Sequence, residues 1–175
     1  RENPASAYGF SKMTATHLLE NLNKTKEFPA TILRPSIAYG PGQSTDMFLT
    51  ELIETLLKGK PFYMSSGQQI RDFVFVDDVV DACLLALDGN AVGRVVNIGS
   101  GQSMSLREVA ILAAKTISDS AQALIQFGSL PYRDSEIMNY SIDISLAQSV
   151  LGWAPRTAFS DGILKTVDSY RQRKN

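Results

Sequence analysis

The chain has 175 residues, 44% of them hydrophobic, and a formal net charge of -1 at neutral pH. This length and composition predict one ordinary domain with a real core and argue against a second full domain. No apolar run approaches the roughly 20 residues that a membrane span needs. The small net charge and dispersed Lys and Arg give no reason to expect nucleic acid or an anionic membrane as a partner. We therefore expect a soluble protein.

The predicted elements alternate between helix and strand. Apolar spacing predicts a helix from Pro4 to Lys24, and a short β-rich run follows between Phe28 and Pro35, closed by a Tyr-Gly-Pro-Gly loop. The later predicted elements are a helix from Asp46 to Lys58 ended by Gly59, strands at 62–64 and 73–76, a helix capped by Asp77 or Asp78 and running to about Leu87, a strand at 95–98, a helix from the Ser105 to Glu108 capping box to about Ile117, a strand at 124–127, a short helix near Ser145 and a last helix from Ser160 to Arg171. This alternation predicts an α/β fold.

The single cysteine and the first residue bear on the cellular compartment and on the length of the whole protein. Because Cys83 is the single cysteine of the chain, an internal disulfide is excluded, and its place in an apolar helical pattern predicts a buried structural thiol. A reducing cytoplasm fits this best. Because the chain begins with Arg1 rather than Met and a helix is predicted almost at once, we expect that it starts in the middle of a larger protein.

Tyr8 and Lys12 are the most informative pair of residues. Their spacing of four places them one above the other on the predicted helix. A Lys⁺ beside a Tyr hydroxyl favours the phenolate and lowers the pKa of the phenol towards the neutral range. Such a pair suits general acid/base chemistry on a sugar alcohol or ketone. The alternative is a chance pairing of two ordinary helix-surface residues.

Three further motifs follow this pair in a characteristic order. They are the segment Leu33 to Gly42 (Leu-Arg-Pro-Ser-Ile-Ala-Tyr-Gly-Pro-Gly), the segment Gly67 to Asp78 that contains Arg-Asp-Phe-Val-Phe-Val-Asp-Asp, and the segment Val95 to Gly101 (Val-Val-Asn-Ile-Gly-Ser-Gly). With the later runs at 133–136, 143–148 and 151–153, the chain resembles the C-terminal half of an extended short-chain dehydrogenase/reductase of the sugar-nucleotide epimerase/dehydratase branch. The resemblance implies that residues 1–175 are the last helices and strands of a Rossmann-like fold plus a small α/β substrate-binding subdomain. The N-terminal dinucleotide-binding half would be absent.

The resemblance implies a role for the Tyr and Lys pair and for the segment after it. Tyr8 would exchange the proton of the sugar C4 hydroxyl, while Lys12 would hold the nicotinamide ribose and lower the pKa of Tyr8. The backbone of Pro35 and Ser36 would contact the carboxamide of NAD or NADP. A plain strand terminator remains the alternative for Pro35.

The resemblance also implies a site for a nucleotide-diphosphate sugar. Arg71 and Arg133 match two arginines that grip the diphosphate, and planar guanidinium donors suit phosphate oxygens. Phe62 and Tyr63 resemble the strand that lines the nucleobase pocket. The alternatives are a surface ion pair between Arg71 and Asp72, an irregular loop around Arg133, and core packing for the two aromatic residues.

The expected activity is modification of the sugar at C4 by an epimerase, a 4-keto reductase or a 4,6-dehydratase. Ile37 stands where many members of the family have an Asn that bonds the substrate, so the usual galactose epimerase or glucose dehydratase activity is in doubt. A catalytically silent scaffold or sensor that binds NAD(P) or sugar nucleotides is the alternative. The helix that carries Tyr8 is expected to pack against its twin in a homodimer.

Several other patterns are interpreted structurally. Gly99-Ser100-Gly101 follows a predicted strand as a phosphate-binding turn would, but Met104 replaces the third glycine, so packing is preferred. Asp77 and Asp78 are interpreted as helix-capping residues rather than paired catalytic carboxylates. His17 is interpreted as a packing or interface residue, and no Cys or His cluster predicts a metal site.

Overall fold

The structure is a computed structural model that describes residue 4 and residues 6–172. Its α-helices are α1 (Ala7–Lys26), α2 (Phe48–Leu57), α3 (Val76–Ala86), α4 (Leu106–Ile117), α5 (Ser145–Leu151) and α6 (Phe159–Gln172), with a 3-10 helix at Ala121–Leu124. Its strands are β1 (Ile32–Pro35), β2 (Ile37–Tyr39), β3 (Phe62–Met64), β4 (Ile70–Phe75), β5 (Val95–Ile98), β6 (Ser103–Ser105) and β7 (Ile125–Phe127). The predicted α/β class is confirmed.

The strands form three small sheets in which most pairs are parallel. β1 pairs with β5, β2 pairs with β4, and β3 pairs with β7, all in parallel. β6 adds an antiparallel strand to β4. Ser36 alone separates β1 from β2, so the chain passes from the first sheet to the second at this residue.

Helix α1 runs antiparallel to β1. Its N-cap Ser6 accepts a hydrogen bond from the Gly9 N–H at 3.1 Å, so the helix starts at Ala7 and not at the predicted Pro4. Arg34 of β1 donates to the Thr16 hydroxyl at 3.1 Å, and Asn23 donates to the Phe28 carbonyl at 2.9 Å. The earlier helix residue, Thr16, thus contacts the later residue Arg34, and the later helix residue, Asn23, contacts the earlier residue Phe28. The N-terminal end of α1 therefore lies towards the carboxyl end of β1.

The buried side chains form two clusters. The larger lies among α2, α4, α6 and the strands β3, β4 and β7, with Leu52, Ile53 and Val109 fully buried. The smaller packs α3 and α5 against β5, where Val96 and Ile98 are fully buried beside Trp153. The larger cluster therefore supports β3, β4 and β7, and the smaller one supports the β1–β5 sheet.

Two predictions about α3 are wrong. Cys83 is exposed rather than buried, because α3 packs through Val79 and Ala82 and turns its other apolar stripe outwards. Asp78 does not cap its own helix. The N-cap position is Phe75, and the buried Asp78 carboxylate instead accepts the backbone N–H groups of Arg156 and Thr157 at 3.0 and 3.1 Å.

Two strands were not predicted, and one motif was predicted correctly. β2 begins at Ile37, one residue beyond Ser36, and occupies part of the segment predicted as a loop, while β6 lies between the Gly-Ser-Gly turn and α4. The capping box at the start of α4 is confirmed, since the Ser105 hydroxyl accepts the Glu108 N–H and the Glu108 carboxylate accepts the Ser105 N–H.

Candidate functional site

Tyr8 and Lys12 lie together on the first turns of α1. The Lys12 ammonium nitrogen is 5.3 Å from the centroid of the Tyr8 ring. Among the described residues, nothing covers most of Tyr8, which is 73% exposed, so a ligand can reach its side chain. The direction of α1 places this pair towards the carboxyl end of β1, which is where Pro35 and Ser36 lie. The predicted proximity of the two side chains is therefore seen in the structure.

The carboxyl ends of β1 and β5 are tied together by backbone and side-chain hydrogen bonds. Pro35 is paired with Ile98, and the Ser36 N–H donates to the Ile98 carbonyl at 2.7 Å. The Ser36 hydroxyl and the Ser100 N–H both donate to Oδ1 of Asp72, at 2.7 and 2.8 Å. Ligands of open α/β sheets bind outside the carboxyl ends of the strands, so this edge is the natural position for a cofactor.

A cavity of about 410 Å³ opens beside this edge. It brings together the four residues predicted to bind substrate, which are Phe62, Tyr63, Arg71 and Arg133. Tyr8, Lys12, Pro35 and Ser36 are not among its lining residues. Ile37, which directly follows Ser36, does line it. The predicted cofactor and substrate residues thus occupy two adjoining places rather than one.

Arg71 is held on the wall of the cavity by three acceptors. Its guanidinium donates to the carbonyls of Ile70 and Ile137 at 2.7 and 2.6 Å and to the Glu136 carboxylate. The alternative of a surface ion pair with Asp72 is wrong, because Asp72 is fully buried and faces Ser36 and Ser100. Arg71 is itself mostly buried, whereas Arg133 is exposed at the loop that closes this side of the cavity.

Sequence reasoning gave no role to several residues at the site. Glu136 belongs to a motif noted in the sequence, but its pairing with Arg71 spans 65 positions and has no local signal. Tyr132 also lines the cavity and exchanges a hydrogen bond with the Ser66 hydroxyl at 2.5 Å. Asp72 was considered only as a partner of Arg71. Its alternation with Arg71 and Phe73 along β4 was a usable signal, because neighbouring strand residues face opposite sides.

The Gly99-Ser100-Gly101 turn is explained by close packing. A Cβ on Gly99 would lie 2.6 Å from the Ile142 side chain, and one on Gly101 would lie 3.1 Å from that of Ile144. Gly101 also has a positive φ of 69°, which favours glycine. These contacts support the packing interpretation of this turn over a phosphate cradle.

The remaining candidates are structural in the part of the chain that the structure describes. His17 contacts the Glu20 carboxylate at 3.2 Å, and no group of three His, Cys, Asp or Glu side chains there is arranged to hold a metal ion. Burial, with the nearby carboxylates of Asp78 and Asp161, raises the pKa of Tyr39, so this phenol stays neutral in the core. None of the described helices combines the length and apolar character that crossing a membrane requires.

The parallel strands and their ligand edge define an α/β protein of Rossmann type, and comparisons with known proteins give its family. Residues 1–99 match the NAD dependent epimerase/dehydratase family. A dTDP-glucose 4,6-dehydratase of Haemophilus influenzae is 31% identical over 95% of this chain and 52% of its own length. The chain belongs to the NAD dependent epimerase/dehydratase family, which confirms the resemblance to extended short-chain dehydrogenases/reductases.

Solved structures support the same fold. The structure of a UDP-glucose 4-epimerase of Thermotoga maritima with UDP-glucose matches with a TM-score of 0.90 at 27% identity, over 99% of this chain and 56% of that one. A UDP-glucuronic acid 4-epimerase of Bacillus cereus, in complex with UDP-glucuronic acid and NAD, matches with a TM-score of 0.87 at 32% identity, over 99% and 55% of the two chains. The chain therefore spans about half the length of these relatives.

Proposed function

We propose that this chain is part of an NAD(P)-dependent enzyme that modifies a nucleotide-diphosphate sugar at C4, as an epimerase, a 4-keto reductase or a 4,6-dehydratase. The observation that carries the proposal is the cavity that unites Arg71 and Arg133 with Phe62 and Tyr63. Two cationic forks and two aromatic residues that line one cavity suit a diphosphate joined to a nucleobase. The relatives named for UDP-glucose, UDP-glucuronic acid and dTDP-glucose support the same substrate class.

In this proposal Arg71 is the principal diphosphate ligand. Its guanidinium is already oriented by two backbone carbonyls and Glu136, so little side-chain entropy is lost when a phosphate binds. Arg133 adds a second charge from the exposed loop. Phe62 is buried and Tyr63 is half exposed on β3, which gives the base one apolar surface and one polar tip. Ile37 offers the sugar an apolar contact where many relatives offer an amide.

The described residues fit the nicotinamide end of a dinucleotide. Pro35 and Ser36 present backbone at the carboxyl edge of β1, and Lys12 on the neighbouring helix carries the charge suited to ribose hydroxyls. When bound, NAD or NADP would exchange a hydride with C4 of the sugar. Pro35 and Ser36 would hold the carboxamide, and Lys12 would hold the ribose.

Tyr8 is proposed as the general acid/base. Its hydroxyl would take the proton from the sugar C4 hydroxyl, or return it, at the phenolic oxygen. Lys12 lies four residues away on the same helix, with its ammonium nitrogen 5.3 Å from the centroid of the Tyr8 ring. Tyr8 lies at the N-terminal end of α1 and is 73% exposed, which leaves room for the sugar to reach it.

We further propose that residues 1–175 are the C-terminal half of the domain and that a dinucleotide-binding half precedes them in the full-length protein. Among the described residues, β1 and β5 form a sheet of only two strands. Two parallel strands are too few for a stable sheet, and parallel sheets are normally covered on both faces. Strands added by an upstream half would complete this sheet.

A homodimer through α1 is part of the proposal. Thr16, at 6% exposure, is the only buried residue among the described residues of this 20-residue helix, while Phe10 and Leu18 are 59% and 58% exposed. These two side chains lie about two turns apart along one side of the helix. A second copy of the same helix would remove this apolar surface from water.

The proposal is tested by incubating the full-length protein with UDP- and dTDP-sugars and NAD or NADP. The cofactor absorbance and the sugar products are followed together. We expect turnover of at least one sugar nucleotide to a C4-altered product. Binding of sugar nucleotide without product and without any change in cofactor absorbance would overturn the enzymatic proposal and indicate a silent scaffold.

A further inference from the structure

Asp72 is a buried carboxylate in which only one of the two oxygens is hydrogen-bonded within the described part of the chain. Its side chain has 0% exposure, and its Oδ1 atom accepts hydrogen bonds from the Ser36 hydroxyl and the Ser100 N–H. Its Oδ2 atom is buried and has no hydrogen-bond partner among the described residues. An unpaired buried oxygen of a charged group lowers stability, so such an atom calls for an explanation beyond packing.

Asp72 lies where the two proposed binding places meet. Along β4, Arg71 and Phe73 face the cavity, so Asp72 between them faces the opposite side, towards the carboxyl ends of β1 and β5. Along the other chain segment, Ser36 bonds Asp72 while Ile37 lines the cavity. The cavity and the Asp72 carboxylate therefore lie on opposite sides of the β2–β4 pair.

The carboxylate is held in a fixed position. A Cβ on Gly99 would lie 2.9 Å from its Oδ1 atom and 2.6 Å from the Ile142 side chain, so Gly99 leaves only enough space for the carboxylate as it stands. Ser36 is the single residue between β1 and β2, and its hydroxyl gives Oδ1 a hydrogen bond of 2.7 Å. The position of Ser36 relative to the second sheet is set by this bond together with the backbone.

We propose that Asp72 is a positioning residue, which fixes the Ser36 and Ser100 segments so that the cofactor edge and the substrate cavity keep one relative position. The inference rests on the proposed function, since it takes Ser36 as a cofactor contact. Asp72 itself touches neither ligand in this proposal. Loss of its bond to Ser36 should weaken cofactor binding more than sugar-nucleotide binding, because Arg71 and Arg133 hold the latter from the other side.

The test measures the dissociation constants of the full-length protein for NAD(P) and for a sugar nucleotide. Ser36→Ala removes the hydroxyl donor, and Asp72→Asn removes the charge of the acceptor while keeping its shape. A hydrogen bond to a charged group suggests that each variant weakens NAD(P) binding by roughly five- to tenfold, with a change below about twofold for the sugar nucleotide. The double variant should be no weaker than the worse single one, because both changes act on the same bond.

Asp78→Asn is the matched control. Asp78 is also buried, at 3% exposure, but both of its oxygens are satisfied by the loop at 156–157. This variant should lose thermal stability and keep the ratio of the two dissociation constants. If Asp72→Asn does not fold, Ser36→Ala alone carries the comparison.

Two outcomes would overturn the inference. One is that the Ser36→Ala variant and any folded Asp72→Asn variant lose stability while their affinity for NAD(P) stays that of the wild type. The other is that the two effects on NAD(P) affinity add fully in the double variant. A wild-type protein that binds no NAD(P) at all would instead overturn the proposed function, so the two failures are distinguishable.

Discussion

Asp78 accepts a hydrogen bond from the backbone N–H of Thr157 at 3.1 Å, although the two residues are 79 positions apart in the chain. Its other oxygen accepts the Arg156 N–H, and its own backbone carbonyl accepts the indole N–H of Trp153 at 2.9 Å. One residue at the start of α3 thus fixes the segment that joins α5 to α6. The same position on the helix would otherwise have served only as a local cap.

Replacing Asp78 should therefore cost stability. Asp78→Ala leaves the part-buried N–H groups of Arg156 and Thr157 without this acceptor, and we expect the free energy of unfolding to fall by roughly 1–3 kcal/mol. Urea denaturation of the full-length protein measures this. Asp77→Ala is the control, because Asp77 is exposed on the same helical turn and should change stability by less than about 0.5 kcal/mol. Equal effects of the two variants would contradict the assignment.

Tyr8→Phe should lower turnover by roughly 10²-fold or more, because a positioned acid/base group contributes on that scale. Binding of the sugar nucleotide should barely change, since the cavity residues are untouched. Tyr140→Phe removes another exposed phenol, one that does not line the cavity, and should keep wild-type turnover. Steady-state kinetics of the full-length protein measure both. Near-normal turnover of the Tyr8 variant would exclude this residue as the acid/base.

Arg71→Ala should raise the dissociation constant for the sugar nucleotide by roughly tenfold or more, on the strength of a charge-assisted hydrogen bond. Binding of the free nucleoside, which lacks phosphates, should be unchanged. Arg107→Ala is the matched control, because Arg107 stacks on Phe127 at 3.9 Å and does not line the cavity. Calorimetric titration gives all the constants. Equal weakening of the nucleoside would indicate a distorted cavity rather than a diphosphate contact.

The full-length protein should be a homodimer at micromolar concentration. Phe10→Glu together with Leu18→Glu places charges on the exposed side of α1 and should shift the protein towards monomer, because buried unpaired charges are unfavourable. Leu164→Glu, at a residue 48% exposed on α6, should leave the dimer intact. Light scattering measures the mass of each. A wild-type protein that is only monomeric would exclude the dimer.

The capping box of α4 predicts a pH dependence of stability. Hydrogen bonds from the Ser105 hydroxyl and N–H lower the pKa of Glu108 from its ordinary value of 4.5. A group with a lowered folded-state pKa contributes stability above its unfolded pKa and loses that contribution as pH falls through the folded value. The stability difference between wild type and Glu108→Gln should therefore be full at neutral pH and shrink below about pH 4.5. Denaturation at several pH values checks this, and a constant difference would contradict it.

Local patterns predicted most of the helices and several strands, because they depend on spacing and caps that lie close in the chain. The Ser105 and Glu108 box is one such signal. β2 was missed because Ile37 to Tyr39 is short and comes soon after Pro35, and β6 was missed because two of its three residues are serines. The predicted burial of Cys83 on α3 was wrong for another reason. This helix is apolar on two sides, and only the tertiary structure decides that Ala82 is covered while Cys83 is exposed.

The site residues show the same division. The family resemblance identified Phe62, Tyr63, Arg71 and Arg133, and the structure places all four on one cavity. The partners that orient Arg71 were not predictable, since Glu136 and Ile137 reach it from 65 and 66 positions away. Asp72 was misread because its neighbour in sequence carries an opposite charge, whereas the strand turns the two side chains to opposite sides.

Among the described residues, all those that line the cavity come from the segment 37–136. If the proposed function holds, recombination between relatives that exchanges this segment would change the preference for a base and a sugar. Tyr8 and Lys12 would stay unaltered. The exchanged segment would contain Asp72 and Ser100, whereas Ser36 would still come from the protein that receives it. A chimera whose recipient lacks a hydroxyl at position 36 should then bind NAD(P) more weakly than one whose recipient has it, as expected for the Ser36→Ala variant.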